Sequence, residues 1–183
     1  MNIISERILL RTIEEDDLPQ LRAWSNDPEI QRMLGGWHFP ISTQDQKRWF
    51  DQLRFDSTNQ RYAIEMEGLG LVGTANIVSI DWQNRTAFHG IMLGNPDVRG
   101  KGVAREVIIT LMRYAFEELN LERLDGDMIE YNIASLKLYI DKCGWKKEGE
   151  KVGWYFRGGR RWNKIIVGIT KADYYALTQS VAG

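Results

Sequence analysis

The apolar positions change period several times along the chain, and each change predicts an element. Ile8-Leu9-Leu10-Arg11 reads as a short strand. Thr12-Ile13-Glu14-Glu15 follows with capping-box spacing and acidic residues where a helix dipole favours them, which predicts a helix from about Glu14 to Trp24. Asn26-Asp27-Pro28 breaks it and starts a second short helical turn. Gly35 to Pro40 is an irregular aromatic loop, and Ser42 or Thr43 caps a helix carrying Trp49, Phe50 and Leu53. From Arg61 the pattern alternates: Tyr62–Met66, Leu71–Ile80 and Thr86–Leu93 predict an antiparallel meander. Gly94 to Gly102 is a loop. Val103, Val107, Ile108, Leu111, Met112, Ala115 and Leu119 then keep the helical period through Leu119. A strand from Leu121 to Met128, a helix from Asn132 to about Cys143 closed by Gly144, and two strands near Val152–Phe156 and Lys164–Ile169 complete the reading. The order describes a single mixed α/β domain over residues 1–183, with one βαβ crossover in its second half.

Composition narrows the classes. The 183 residues carry 24 Lys+Arg against 25 Asp+Glu, so bulk charge does not drive nucleic-acid binding. One cysteine, Cys143, makes no internal disulfide, and two histidines argue against a histidine-rich metal site; no metal is expected. The N-terminus has no apolar signal region, and apolar runs stay far below the roughly 20 residues of a membrane span. No membrane partner is expected, and the profile fits a reducing cytoplasm.

The chemistry concentrates in Arg99-Gly100-Lys101-Gly102-Val103-Ala104, between a strand and the longest predicted helix. A helix start leaves backbone N–H groups unpartnered, and glycines let a ligand approach closely, so such a turn suits a phosphate or pyrophosphate; the other reading is a turn and nothing more. No Walker A string occurs, and the six residues from Gly100 to Arg105 fail the dinucleotide fingerprint at its last position. Downstream lies Asn132-Ile133-Ala134-Ser135-Leu136-Lys137-Leu138-Tyr139, then Gly144-Trp145.

With these two motifs the sequence resembles the GCN5-related N-acetyltransferase (GNAT) superfamily. Arg99, Gly102 and Ala104 match its [QR]-x-x-G-x-[GA] signature; Asn132, Ser135, Tyr139, Gly144 and Trp145 match its second motif. The segment Leu21 to Pro28 looks like the branch holding ribosomal-protein, spermidine and amino-sugar acetyltransferases. The resemblance implies a GNAT fold, an α/β (α+β) architecture whose central mixed, mostly antiparallel sheet has about six to seven strands, flanked by helices on both faces. It implies acetyl-CoA as co-substrate. Arg99, Gly100, Lys101, Gly102, Val103 and Ala104 would hold its pyrophosphate, and Met92, Leu93 and Gly94 its pantetheine amides and thioester carbonyl. Asn132 would hydrogen-bond the pantetheine arm, and Ser135 would do the same or cap its helix.

The implied reaction is direct attack by an amine on the thioester, for which Cys143 is not needed. Tyr139 is the expected acid. Asp127 and His89 are candidate bases, with a water chain as the alternative; Phe88 stands where many relatives carry a Glu. Trp37, His38, Phe39, Trp154 and Tyr155 are expected to line the acceptor pocket. Arg157, Arg160 and Arg161 are expected at a solvated hairpin tip; pointing inward, they would favour an acidic acceptor. The expected acceptor is a small-molecule or peptide amine, foremost a protein N-terminus of the ribosomal-protein type. Polyamine and amino-sugar acceptors, and a non-catalytic acyl-CoA-binding module, are the alternatives. A homodimer is a candidate assembly.

Overall fold

The computed structural model describes residues 2–36, 39–53 and 56–181. Eight strands form one sheet in the order β1-β2-β3-β4-β5-β6-β8-β7. The strands are β1 (Ile3–Ile4), β2 (Ile8–Arg11), β3 (Gln60–Met66), β4 (Gly70–Asp81), β5 (Thr86–Leu93), β6 (Arg123–Ile129), β7 (Lys146–Arg157) and β8 (Arg160–Thr170). Every pairing is antiparallel except β5 with β6, the product of the βαβ crossover. The sheet thus exceeds the expected six to seven strands; the additional two-residue β1 is too short to show a period.

Among the described residues six helices cover the sheet: α1 (Leu18–Ser25), α2 (Pro28–Met33), α3 (Thr43–Asp51), α4 (Val103–Arg113), α5 (Ile133–Lys137) and α6 (Lys171–Val181). Alternation along the strands feeds two cores. On one face Ile64, Val72 and Ile77 pack with Val107, Ile108 and Leu111 of α4 and with Tyr139, Trp145 and Tyr174. On the other, Ala63 meets Leu21 and Trp24 of α1 and Ile30 of α2, with Trp49 and Phe50 of α3 against them.

Helix starts follow the local chemistry. Asp27 accepts from the N–H groups of Glu29 and Ile30 with Pro28 in the first turn, and Ser42 forms a reciprocal capping box with Asp45. The expected helix from Glu14 begins instead as a 3₁₀ turn, Glu15–Asp17, because Asp17 is drawn down to Arg11, whose guanidinium forks onto both its oxygens at 2.7 and 2.9 Å. Two helices end in π-turns, Tyr114–Glu118 after α4 and Leu138–Lys142 after α5. Among the described residues no helix is long and apolar enough to cross a membrane.

Candidate active site

The parallel pairing of β5 with β6 is brief. Thr86, Ala87 and Phe88 align with Arg123, Leu124 and Asp125, and beyond them the strands part. The gap is a cleft of about 580 Å³, bordered among others by His89, Ile91, Asp127, Asn132, Tyr139 and Lys164. On its β5 wall the direction of the backbone is set by register. The Gly94 N–H donates to Val72 O at 3.0 Å, so alternate residues Met92 and Gly90 also turn their polar groups to β4. Ile91 and Leu93 therefore present theirs to the gap. This corrects the expectation for the N–H groups of Met92 and Gly94, which face β4; of the three residues named, Leu93 alone turns its backbone polar groups away from β4, while Met92 is the one that borders the cleft. Gly94 has another reason to be glycine: a Cβ there would overlap the Trp24 indole.

At the adjoining end lies the turn before α4. Gly100 and Gly102 have φ of 73° and 79°, the left-handed region that glycine enters freely. Arg99 N–H is spent on Pro96 O at 3.1 Å and Lys101 N–H on Val98 O at 3.4 Å, so these two do not face a ligand as expected. The N–H groups of Gly100, Gly102, Val103 and Ala104 have no protein partner among the described residues, and the last three open the helix, where the dipole adds to their pull on an anion. Arg7 buttresses this turn: it donates to Lys101 O at 3.0 Å and forms a salt bridge with Glu106 at 2.7 Å. No local pattern marks Arg7, which lies 94 residues away from the carbonyl it holds.

The second motif forms the opposite wall. Asn132 caps α5, its Oδ1 accepting from Ser135 N–H at 3.2 Å while Nδ2 donates to Met33 O at 3.1 Å. Its side chain serves a helix cap and a tie to α2, and it borders the cleft with one Nδ2 hydrogen to spare. Ser135 is the capped residue and does not cap. Tyr139 sits in the π-turn, 5% exposed, and burial holds its hydroxyl well above the usual phenol range. Its ring stands edge-on to Trp145 at 4.9 Å and lies 5.8 Å from His89. His89 is 2% exposed, and burial depresses its pKa to about 4. Nδ1 lies 3.0 Å from Asn76 O, which assigns the proton to that nitrogen; the Nε2 lone pair is buried and unpartnered. Burial makes this neutral histidine a weak proton acceptor, although its Nε2 lone pair is free. Cys143 is buried, and its thiol is pushed up to about 11, which suits a packed residue and not a nucleophile.

Asp127 is held from two sides. Tyr155 donates its hydroxyl to Oδ1 at 3.0 Å, and Lys164 Nζ stands 2.9 Å from Oδ2. Burial and this carboxylate both raise the Tyr155 pKa above the ordinary phenol range. Gly35 packs on the same tyrosine; a Cβ there would lie 2.5 Å from the hydroxyl. Lys164 was not singled out from the sequence; strand alternation alone points to no partner for it. Trp154 falls outside the cleft, 52% exposed on β7, with Lys151 Nζ 4.7 Å from its ring. β7 is bulged between Lys151 and Tyr155, and Lys164 Nζ lies 5.0 Å from the Trp154 ring and 5.5 Å from that of Tyr155. Trp37 and His38 lie outside the described residues.

A second cavity of about 1140 Å³ opens beside the cleft, and Ser25 and Gln31 border both. Phe39 lines it. So do Arg157 and Arg160, together with Arg22 and Arg32 from the early helices, although the hairpin tip is exposed as expected at Arg160 and Arg161. Arg161 is not part of this wall and packs over Phe156 at 5.5 Å. Among the described residues no group of three or more His, Cys, Asp or Glu is placed to hold a metal ion.

A splayed strand pair leads into a glycine turn that feeds a helix start, with a buried tyrosine bordering the gap. A family model described as an acetyltransferase (GNAT) domain matches residues 7–146, and the chain belongs to that family. It is an acetyl-CoA-dependent acyltransferase. An uncharacterized N-acetyltransferase of the SPbeta prophage of Bacillus subtilis, YokL, is 28% identical over 92% of this chain and 93% of its own length. Spermidine N(1)-acetyltransferase of Vibrio cholerae is 27% identical over 86% of this chain and 89% of its own. A crystal structure of spermidine N-acetyltransferase from Vibrio cholerae, in complex with CoA and spermine, superposes with a TM-score of 0.86 at 24% identity, covering 93% of this chain and 99% of that one; the likeness is one of fold.

Proposed function

We propose that the cleft carries out direct acetyl transfer from acetyl-CoA to a primary amine. The observation that supports this best is the joining of the two motifs: the N–H groups of Gly102 to Ala104 are unpartnered among the described residues, α4 is tied to the second motif by Arg105 Nε donating to Lys142 O at 3.1 Å, and Tyr139 borders the same cleft as Ile91. The helix start would hold the pyrophosphate. The outward N–H groups of Ile91 and Leu93 would pair with the extended arm and polarise the thioester carbonyl, a donor role suited to developing negative charge.

Tyr139 is the donor to the leaving sulfur. A thiol ionises at about 8.5 and an ordinary phenol at about 10, and burial moves this one further up. Full proton transfer to the thiolate is therefore uphill, and the hydroxyl acts by hydrogen bonding to the growing charge. Asp127 is the proton acceptor, steered by Tyr155 and Lys164. His89 offers its Nε2 lone pair to a water or an amine N–H without changing its charge. A polyamine acceptor is the second reading, favoured by the likeness to spermidine acetyltransferases. The protein N-terminus expected from the sequence has no comparable support. Release of free coenzyme A across a panel of polyamines, amino-sugars and peptides tests the transfer; tight acetyl-CoA binding with no release from any amine would turn the reading into a binding module.

A further inference from the structure

We infer that the cavity beside the cleft selects an acceptor amine bearing an anionic group, a carboxylate or a phosphate; this rests on the acetyl-transfer reading above. Arg22, Arg32, Arg157 and Arg160 all line the cavity, and the lining holds no aspartate or glutamate. None of the four makes a salt bridge with any described carboxylate, whereas Arg7, Arg11, Arg48, Arg85 and Arg123 each do. Four positive charges sharing one concave wall raise the local concentration of anions and repel a polycation.

The guanidinium groups are also set in place. Arg160 stacks on Trp162 at 3.5 Å, and Arg32 lies 5.9 Å from the Tyr131 ring. Tyr131 and Trp162 meet edge to face at 4.7 Å, and Tyr131 donates its hydroxyl to Arg32 O, so the two stacks form one unit joining α2 to the hairpin. A stacked guanidinium keeps its N–H edge free for a planar, two-pronged contact with carboxylate or phosphate. Arg157 is fixed by a bond from Nη1 to Phe156 O at 2.8 Å, and its Nε is buried without a partner. A buried unpaired donor on a cation is costly, and an arriving anion oxygen would satisfy it. Because Ser25 and Gln31 border both spaces, an amine reaching into the cleft would leave the rest of its molecule among these arginines.

The test compares matched acceptors: glucosamine 6-phosphate against glucosamine, a peptide opening Ser-Glu-Glu against one opening Ser-Gln-Gln, and spermidine. At least one anionic member is expected to exceed its neutral twin in kcat/KM by about 10–100-fold, the size of one or two charge-assisted bonds. The sugar and peptide arms tell a phosphate from a carboxylate source. In the double variant Arg32→Gln/Arg160→Gln that ratio is expected to fall towards unity through KM, with partial recovery in Arg32→Lys/Arg160→Lys. A variant that merely misfolds loses both twins together and leaves the ratio standing. Coenzyme A release with no preference for the anionic twins, or with spermidine ahead, overturns the inference and leaves acetyl transfer intact. Failure of every amine overturns both.

Discussion

The two ends of the site proposed above would recognise their ligands by different means. The coenzyme end would draw mainly on residues 91–104, through backbone N–H groups set by register and by two left-handed glycines. The acceptor end would draw on α1, α2, Phe39 to Ile41, Tyr131 and the β7–β8 hairpin, through charged side chains. Backbone recognition depends on where a strand stops and a helix starts, so it withstands most side-chain exchanges. Side-chain recognition can be rewritten by one or two substitutions while the fold stays as it is. A likeness in fold to spermidine acetyltransferases is therefore compatible with a wall of arginines on the acceptor side.

The sharpest test of the coenzyme end is Tyr139→Phe. It should lower kcat about 10²–10⁴-fold while calorimetry still registers acetyl-CoA binding; an equal loss of affinity would make the hydroxyl a binding group and remove it from the transfer step. His89 sits on the wall between the two ends. Its folded-state pKa of about 4 lies below the ordinary value of about 6.5. Across that window the unfolded chain takes up a proton that the native state refuses. Stability is thus full above about 6.5, falls as the pH drops, and has lost roughly 3 kcal/mol by the lower limit. Urea denaturation as a function of pH should show this slope in the native protein and a flatter one in His89→Gln; equal slopes would assign the acid sensitivity elsewhere.

Gly94→Ala separates packing from ligand approach. The new methyl meets Trp24, and a loss of about 1–3 kcal/mol in denaturant stability is expected even without coenzyme. If stability holds and only acetyl-CoA affinity drops, the glycine belongs to the ligand after all. The mildest change is Gly102→Val, where φ of 79° costs a side chain about 1–2 kcal/mol. The turn should relax to escape it, weakening acetyl-CoA by about tenfold in calorimetry with little effect on the choice between acidic and neutral acceptors. A change in that choice would show that the two ends are coupled.

What could be read from residues alone follows the same division. The meander and the crossover were legible because β4 and β5 bury alternate positions along part of their length, Ala75 and Ile77, Ala87 and His89, and β3 has a buried centre at Tyr62 to Ile64. The first half of β7, Lys146 to Lys151, was not: it is a largely exposed edge strand whose Lys-Lys-Glu-Gly-Glu-Lys run has no period, although it pairs with β8 through Gly168, Val167 and Ile166. Helix α6 was missed although Thr170 and Asp173 form a reciprocal cap, Asp173 N–H to Thr170 Oγ1 at 3.1 Å and Thr170 Oγ1 to Asp173 Oδ2 at 2.7 Å. At the site, contiguous motifs marked the coenzyme end. The arginine wall was legible only in its hairpin part, Arg157 and Arg160; Arg22 and Arg32 join them only after three segments have folded around one space.

The parity of β5 has a bearing on how this chain tolerates length changes. Outward donors occur at every second residue, so a single insertion between Thr86 and His89 that pushed the strand along by one step would hand the cleft the polar groups of Gly90 and Met92 and turn those of Ile91 and Leu93 against β4. The sheet would still close, yet the doorway for the thioester would be out of phase with the helix start beside it. Sequence drift in this hairpin should accordingly gather in the Trp82–Arg85 turn, where extra residues loop out without moving the strand.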